Sequence, residues 1–476
     1  MSEQDFFNSF QKAVSVFNKH IQSGSFIRLV THNDADGLSS GGILAIVALR
    51  NKAHFKISSE KKLDDKLIER LKEEKSGLII FSDFGSGYLD LIGGSLKRDI
   101  IVLDHHLSIE YEADNIVHIN PMLHGLDGAR EIAASGISYL LAKSLDPKNN
   151  DLACLGLLGA LGDQQDKGER KSLISLNKMI EADAEENHLL DKHVGLIFYG
   201  YETRPLAKAI AYTTLPYIPG LSGKEGNCVA FLKEIGVEIL DGDRLRALTD
   251  LTDEEKTRLF SSLSNHMVSC GCDSESIHQL IGTIYTFKLE DPGTSLRSGR
   301  EYGSLLNACG RMGKQGLGLS VVMGDRGEAM LEAQETLDEY RRTIGQALDW
   351  VQMNDKVEEM ENIYVIRAED KINDAVIGVV SGILLSQGIL KEKKPIVATA
   401  YTEDDQLKIS ARGIEELVQK GLHMGIVMQE AAEQVEGGGG GHDIAAGAYI
   451  PVVKETAFLA EVNRLVAVAL AQRIPL

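Results

Sequence analysis

Aromatic residues make up only 6% of the 476-residue chain and proline numbers 9, while hydrophobic residues reach 43%, which excludes collagen-like, proline-rich and largely disordered classes. Cysteine is scarce too. The five cysteines, an odd number without recurring spacing, argue against a disulfide framework, and Cys270-Gly-Cys272 stands too isolated to make a zinc site. No apolar run approaches the roughly 18 residues of a membrane span, and the opening Met1-Ser-Glu-Gln-Asp lacks the basic-then-apolar layout of a signal peptide. A soluble cytoplasmic protein without a membrane partner is expected. Basic residues are outnumbered, 50 against 70 acids for a net charge of −20, which opposes non-specific attachment to phosphate backbones. A nucleic-acid substrate would therefore need locally placed cations.

The length suits about three domains of ordinary size. Short runs rich in Ile, Val and Leu at 26–30, 78–81 and 100–103, with a weaker candidate at 54–58, alternate with helical patterns at 38–50 and 63–72. Buried parallel strands in an α/β sheet explain this best. Two apolar helices follow near 135–145 and 152–161. From about 179 to 345 the alternation fades into helical stretches broken by turn clusters, which predicts a mostly helical insertion closed by a long charged helix at 332–357. A β/α alternation then resumes at 363–367, 375–386, 396–401, 406–411 and 414–433, ending in a final helix. The expected domains are 1–178, 179–345 and 346–476.

Strands one, three and four run into acids: Thr31-His-Asn-Asp-Ala-Asp-Gly37, Ser82-Asp-Phe-Gly85 and Asp104-His-His106. In a parallel α/β sheet the ligand crevice lies outside the carboxyl ends of the strands, so these segments should converge. The period-2 spacing of His32, Asp34 and Asp36 would aim all three to one side of an extended segment. Asp163 follows an apolar helix. So many carboxylates cannot stay ionised together in one partly desolvated cleft without cations. Oxygen ligands mixed with imidazole suit Mn²⁺, and less strongly Mg²⁺ or Zn²⁺. Two such ions would polarise a phosphoryl group, which makes phosphoester hydrolysis the expected chemistry.

These motifs resemble the DHH phosphoesterase superfamily: His32-Asn-Asp-Ala-Asp-Gly37 its first motif, Asp83 its second, Asp104-His105-His106 the motif that names it, and Asp163 its fourth. Ser410-Ala-Arg412 and Gly440-Gly-His-Asp-Ile-Ala-Ala-Gly447 resemble its associated substrate-binding domain. Within the superfamily the chain looks like the RecJ single-strand exonucleases, specifically the archaeal RecJ-like group that includes the GINS-associated nuclease. It departs from bacterial RecJ in carrying His32 where an Asp is usual, and in offering no strands for an OB-fold.

The resemblance implies an N-terminal parallel-sheet DHH domain, a helical insertion and a smaller C-terminal α/β domain, with the active site in the cleft between the two α/β domains. It implies two divalent ions, Mn²⁺ before Mg²⁺, on His32, Asp34, Asp36, Asp83, His105 and Asp163, with Asp83 bridging. Asp104 would orient a neighbouring histidine, His106 would stand near the scissile phosphate, and activated water rather than a side chain would attack. Ser410, Arg412, Gly440, Gly441 and His442 would bind substrate, the glycine run as a loop with a helix start behind it. The locally basic stretch around Arg297 and Arg300 is a candidate nucleic-acid contact. Single-stranded DNA or RNA and the GINS complex are the implied partners, the latter on the helical middle region.

Overall fold

Leu78–Ser82 is buried at every residue, as befits the middle strand of a sheet covered on both faces. The computed structural model describes residues 3–213, 216–272, 274–386, 390, 392–402 and 405–471. Its first sheet has the strands β1 (Ile27–His32), β2 (Phe55–Glu60), β3 (Leu78–Ser82), β4 (Asp99–Leu103) and β5 (Ile116–Ile119), in the order β2-β1-β3-β4-β5 and all parallel. Helices alternate with them: α1 (Glu3–Gln22), α2 (Ala35–Arg50), α3 (Asp65–Glu73), α4 (Leu89–Ser95), then α5 (Ala134–Leu145), α6 (Ala153–Gly162) and α7 (Ser175–Glu186). One face of the sheet, with Val30, Ile79, Phe81, Ile100 and Val102, packs on Leu67, Ile68 and Leu71 of α3 and Leu89 and Ile92 of α4. Residues of the other parity, such as Leu29, Ile80 and Ile101, are just as buried, with α2 lying against β1, β2 and β3. The strand order reverses between β1 and β3, which opens the crevice of a parallel sheet at their carboxyl ends.

The chain divides into two compact units, Met1–Ala209 with Leu240–Lys256 and His278–Asp338, and Ile210–Ile239 with Thr257–Ile277 and Glu339–Leu476. The middle stretch is mostly helical, but parts of it return to the first unit, where Leu190–Leu196 pairs antiparallel with Ile281–Phe287 in a strand pair the sequence did not suggest.

The second unit carries a six-stranded mixed sheet in the order Val357–Glu359, Tyr364–Arg367, Ile396–Tyr401, Gln406–Arg412, Ala445–Pro451 and Gly438–Gly441. Leu407, Ile409 and Ala411 of one face pack on Met424, Val427 and Met428 of helix Met424–Glu433 and on Phe458 and Val462 of helix Glu455–Ala471. The segment expected as one helix over 414–433 is two, Glu415–Val418 and Met424–Glu433. Gly421 between them has φ +102, a conformation that breaks helical continuity, and His423 caps the second helix by accepting from the Ile426 amide at 3.3 Å.

The glycine run is a strand, not a loop, and no helix starts behind it: Gly438–Gly441 pairs antiparallel with Ala445–Pro451 at the sheet edge. The physical reason is the helix beside it. A Cβ on Gly439 would lie 2.5 Å from the Met428 carbonyl oxygen, and one on Gly425 would lie 2.1 Å from that of Gly441. Gly425→Ala, a change that stabilises an unconstrained helix by up to about 1 kcal/mol, is therefore expected to destabilise here by about 1–3 kcal/mol, the cost of overpacking. Urea denaturation checks the sign.

Candidate metal centre

The strand-to-helix turn after β1 sets out the first candidate ligands. The strand stops at His32 and α2 begins at Ala35, so His32, Asp34 and Asp36 do not share an extended segment as their spacing suggested. They converge for a different reason. Asp34 is the N-cap of α2, accepting the Gly37 amide on Oδ1 at 3.0 Å, and its Oδ2 lies 2.8 Å from His32 Nδ1. The turn is tight enough that a Cβ on Gly37 would meet the His32 carbonyl oxygen at 2.3 Å. Asp36, at the start of the helix, is fully buried, and the first amides of α5 hold its carboxylate: Ala134 N–H donates to Oδ2 at 2.7 Å and Ser135 N–H to Oδ1 at 2.8 Å. A Cβ on Gly159 of α6 would fall 1.8 Å from that Oδ1.

Asp83 follows β3. Its amide continues the ladder to the Leu103 carbonyl at 2.9 Å, and its backbone then turns into the left-handed region at φ +66, which Asp tolerates better than most residues. The side chain stands between two imidazoles, with Oδ2 3.3 Å from His32 Nδ1 and Oδ1 3.2 Å from His105 Nε2. His105 Nε2 also lies 3.5 Å from Asp36 Oδ2 and 3.7 Å from Asp163 Oδ2. The other ring nitrogen, Nδ1, faces the Gly128 carbonyl at 2.6 Å, and Gln165 donates to the same carbonyl at 2.9 Å. With the Nδ1 proton given to that oxygen, Nε2 is the edge that could coordinate a cation.

Asp104 is buried and accepts the amides of Ser86 at 2.9 Å, His105 at 2.8 Å and His106 at 3.2 Å, with His106 Nδ1 2.8 Å away. Its carboxylate thus holds the His106 ring, and a carboxylate oxygen also lies within 4.8 Å of donor atoms of Asp83 and His106. Asn120 ties this loop down, donating to Ser86 Oγ and to the His106 carbonyl at 2.8 Å each. Sequence reasoning missed Asn120, Gln165 and the α5 amides. Asn120 sits directly before Pro121 and Gln165 two residues after Asp163, signals too local to have revealed their partners.

The electrostatics match the crowding. Burial first, then Asp83, pushes the Asp36 carboxyl up to about 7. Burial, with Asp34, Asp36 and Asp83 adding to it, drives Asp163 well above the ordinary carboxylate range. For His32 and His105 burial works the other way, yet the facing carboxylates outweigh it and hold both rings protonated above the usual range. Burial would likewise raise Asp104, but the His106 ring overrides it and keeps the group low.

His32, Asp34 and Asp83 present donor atoms within 4.8 Å of one another, and so do Asp36, Asp83 and His105. Asp83 belongs to both sets. His32 Nδ1 and Asp83 Oδ2 are buried and, despite their close neighbours, make no hydrogen bond of acceptable direction. Orphaned donors aimed at shared space, of mixed oxygen and imidazole type, fit divalent cations.

Three parts of the chain match known domains: residues 26–160 the DHH family N-terminal domain, 198–281 the DHH-CID domain and 361–468 the DHHA1 domain. A protein of Methanocaldococcus jannaschii, itself uncharacterized, is 32% identical over 95% of this chain and 96% of its own length. The chain belongs to the DHH superfamily. The fold is similar to that of RecJ from Thermus thermophilus in complex with Mn²⁺, at a TM-score of 0.59 and 15% identity over 96% of this chain, which spans 55% of that one. It is similar to CDC45 from Entamoeba histolytica, with TM-score 0.66 and 12% identity over 97% and 99% of the two chains. A manganese-bound exonuclease RecJ gives 0.56 and 15% over 98% and 97%.

The other expected site residues are on other elements. Ser410 and Arg412 are on strand Gln406–Arg412 of the second unit, where Arg412 Nη1 donates to Ser410 Oγ at 3.2 Å and to the Ala411 carbonyl at 2.8 Å. Gly440 and Gly441 are on the edge strand, and His442 opens its turn, donating its amide to the Ala445 carbonyl at 2.8 Å. Arg297 and Arg300 have internal work. Arg300 donates to Asp166 Oδ2 from Nε at 3.1 Å and Nη2 at 2.6 Å, and to the Lys171 carbonyl at 3.1 Å. Arg297 reaches the Glu290 carbonyl at 3.0 Å and pairs with Glu202 at 3.6 Å. Both guanidinium groups thus have acids and carbonyls of the chain itself as partners.

The metal-free protein should carry the mark of its raised groups. A carboxyl with a raised folded pKa takes up a proton on folding, so Asp36 contributes stability below its unfolded value of about 4 that is lost as pH rises to about 7. His32 and His105, also raised, lose theirs as pH rises beyond about 6.5. All three have the same sign. In EDTA, the stability difference between wild type and Asp36→Asn should fall steadily between about pH 5 and 8; a flat or rising difference contradicts the assignment.

Proposed function

We propose that the protein is a metal-dependent, single-strand-specific exonuclease that hydrolyses phosphodiester bonds of DNA or RNA. The observation that carries this reading is the sharing of Asp83 between two donor sets, one on the β1 turn and one on the β4 loop, with an oxygen turned toward each. His32, Asp34 and Asp83 would hold one cation, and Asp36, Asp83, His105 and Asp163 the other. Bound there, two divalent ions, Mn²⁺ before Mg²⁺, would polarise the phosphoryl group and lower the pKa of the attacking water.

The chain's own residues do the rest. Asp104 fixes the His106 ring through Nδ1, which turns Nε2 away from the carboxylate as the edge that meets a phosphate oxygen. Arg412, with Ser410, the Gly440–Gly441 backbone and His442, would grip a terminal phosphate, because a guanidinium fork matches phosphate geometry. The domain assignments 1–178, 179–345 and 346–476, and catalysis in a cleft between the α/β domains, belong to the same reading. So does partnership with GINS through the middle region in replication or repair, for which the support is the resemblance to the archaeal RecJ-like group.

Digestion of end-labelled single-stranded DNA and RNA with Mn²⁺, Mg²⁺ or EDTA tests the proposal. Shortening from an end that EDTA abolishes supports it, and cleavage of cyclic dinucleotides with no action on long oligonucleotides overturns it. Asp83→Asn should abolish hydrolysis in a folded protein, well beyond the roughly 10–100-fold typical of losing a residue that only orients a ligand. Arg412→Ala should weaken substrate capture about 10–150-fold, the equivalent of a charge-assisted contact of roughly 1.5–3 kcal/mol, while Mn²⁺ binding is unchanged. Steady-state kinetics on linear and circular strands, with Mn²⁺ titration alongside, separates these effects.

A further inference from the structure

Helix Gly299–Arg311 contributes no donor to the cation site, yet it touches the backbone of both segments that do. Asn307 accepts the Ala35 amide on Oδ1 at 3.0 Å, between Asp34 and Asp36, and donates from Nδ2 to the Gly162 carbonyl at 3.4 Å, one residue before Asp163. Glycines clear the approach. A Cβ on Gly303 would lie 3.1 Å from Gly162 Cα, one on Gly162 would lie 2.5 Å from Ala35 Cβ, and one on Gly310 would lie 1.5 Å from the Asn33 carbonyl oxygen. Asn33 Nδ2 in turn donates to the Gly310 carbonyl at 3.2 Å. At the other end of the helix Arg300 holds Asp166, three residues beyond Asp163.

We propose that Asn307 is a positioning residue, whose carboxamide fixes the segment bearing Asp34 and Asp36 at one separation from the segment bearing Asp163. The chemistry of the side chain decides it. Ala35 N–H is one of the amides left unpaired at the start of α2, and the Gly162 carbonyl lies at the end of α6, so the bridge needs an acceptor and a donor on one planar group. Aspartate lacks the donor, leucine fills the volume with neither, and glutamine is a methylene too long for a gap lined by glycine backbone. The bridge joins main chain to main chain, so it sets how far apart the carboxylates stand without touching them.

The inference rests on the proposed cation site, and its test keeps the two separable. Mn²⁺ binding to the full chain is followed by electron paramagnetic resonance of the free ion, and thermal unfolding is recorded in EDTA. Asn307→Leu should weaken Mn²⁺ binding about 10–100-fold, as loss of a residue that orients ligands does, and should lower kcat with little change in KM. Should the leucine variant fail to fold, Asn307→Ser takes its place. Wild-type Mn²⁺ affinity in a folded variant overturns the inference, as does an affinity that falls only in step with metal-free stability. If wild type itself binds neither Mn²⁺ nor Mg²⁺, the proposed function fails instead.

Discussion

Five carboxylates, those of Asp34, Asp36, Asp83, Asp104 and Asp163, crowd the carboxyl end of one parallel sheet, and only Asp34 and Asp163 keep about a quarter of their side chains in solvent. In a partly desolvated site each ionised neighbour raises the cost of ionising the next, so the group is tolerable only with compensating positive charge. The fold supplies part of it. The amides at the start of α5 face Asp36, the Gly37 amide caps Asp34, three amides surround Asp104, and two imidazoles stand among the acids. Asp83 is given no amide of this kind, and its Oδ2 is without a hydrogen bond. Asp83, the residue that both donor sets share, relies on the imidazoles of His32 and His105 instead.

That arrangement follows from topology before it follows from side chains. Parallel strands place all their carboxyl ends along one edge, and the reversal of order between β1 and β3 parts the helices there. His32 ends β1, Asp83 follows β3 and Asp104 follows β4, so three strands deliver ligands or their support to one crevice. The glycines of α6 and of helix Gly299–Arg311 let backbones close around it. Gly159 lies against the Asp36 carboxylate, and Gly310 lies against Asn33.

What could be read from the sequence had local causes. Doubly covered strands show as unbroken apolar runs, and acids directly after such runs mark strand ends, so β1, β3, β4 and the residues His32 to Asp163 were all legible. What was misread depended on partners distant in sequence. The spacing of His32, Asp34 and Asp36 mimics a strand because nothing local says that Asp34 caps a helix. Five glycines read as a loop, since the helix that requires them bare is recognised only once Gly425 is seen against Gly441. Nor could the neighbourhood of Arg300 reveal its ion pair with Asp166, 134 positions away. Edge strand β5, four residues long, went unnoticed, and so did helix α1, although Phe6, Phe10, Ala13 and Phe17 form a buried stripe at helical spacing.

The charge balance gives the same site a second consequence. A chain of net charge −20 repels a polyanion, and in the metal-free crevice the protonated imidazoles and raised carboxyls offset the acids without giving a net positive site. Divalent ions reverse the local sign, and at a few ångströms their field outweighs the more distant surface acids, which salt screens over roughly 10 Å. Cations held there would therefore recruit the phosphate as well as activate the attacking water. On the proposed reading, Arg412 and its neighbours would then need only to select which phosphate is presented. Affinity for a nucleic acid would be concentrated at the point of chemistry, which suits an enzyme that engages a chain end better than one that coats a strand.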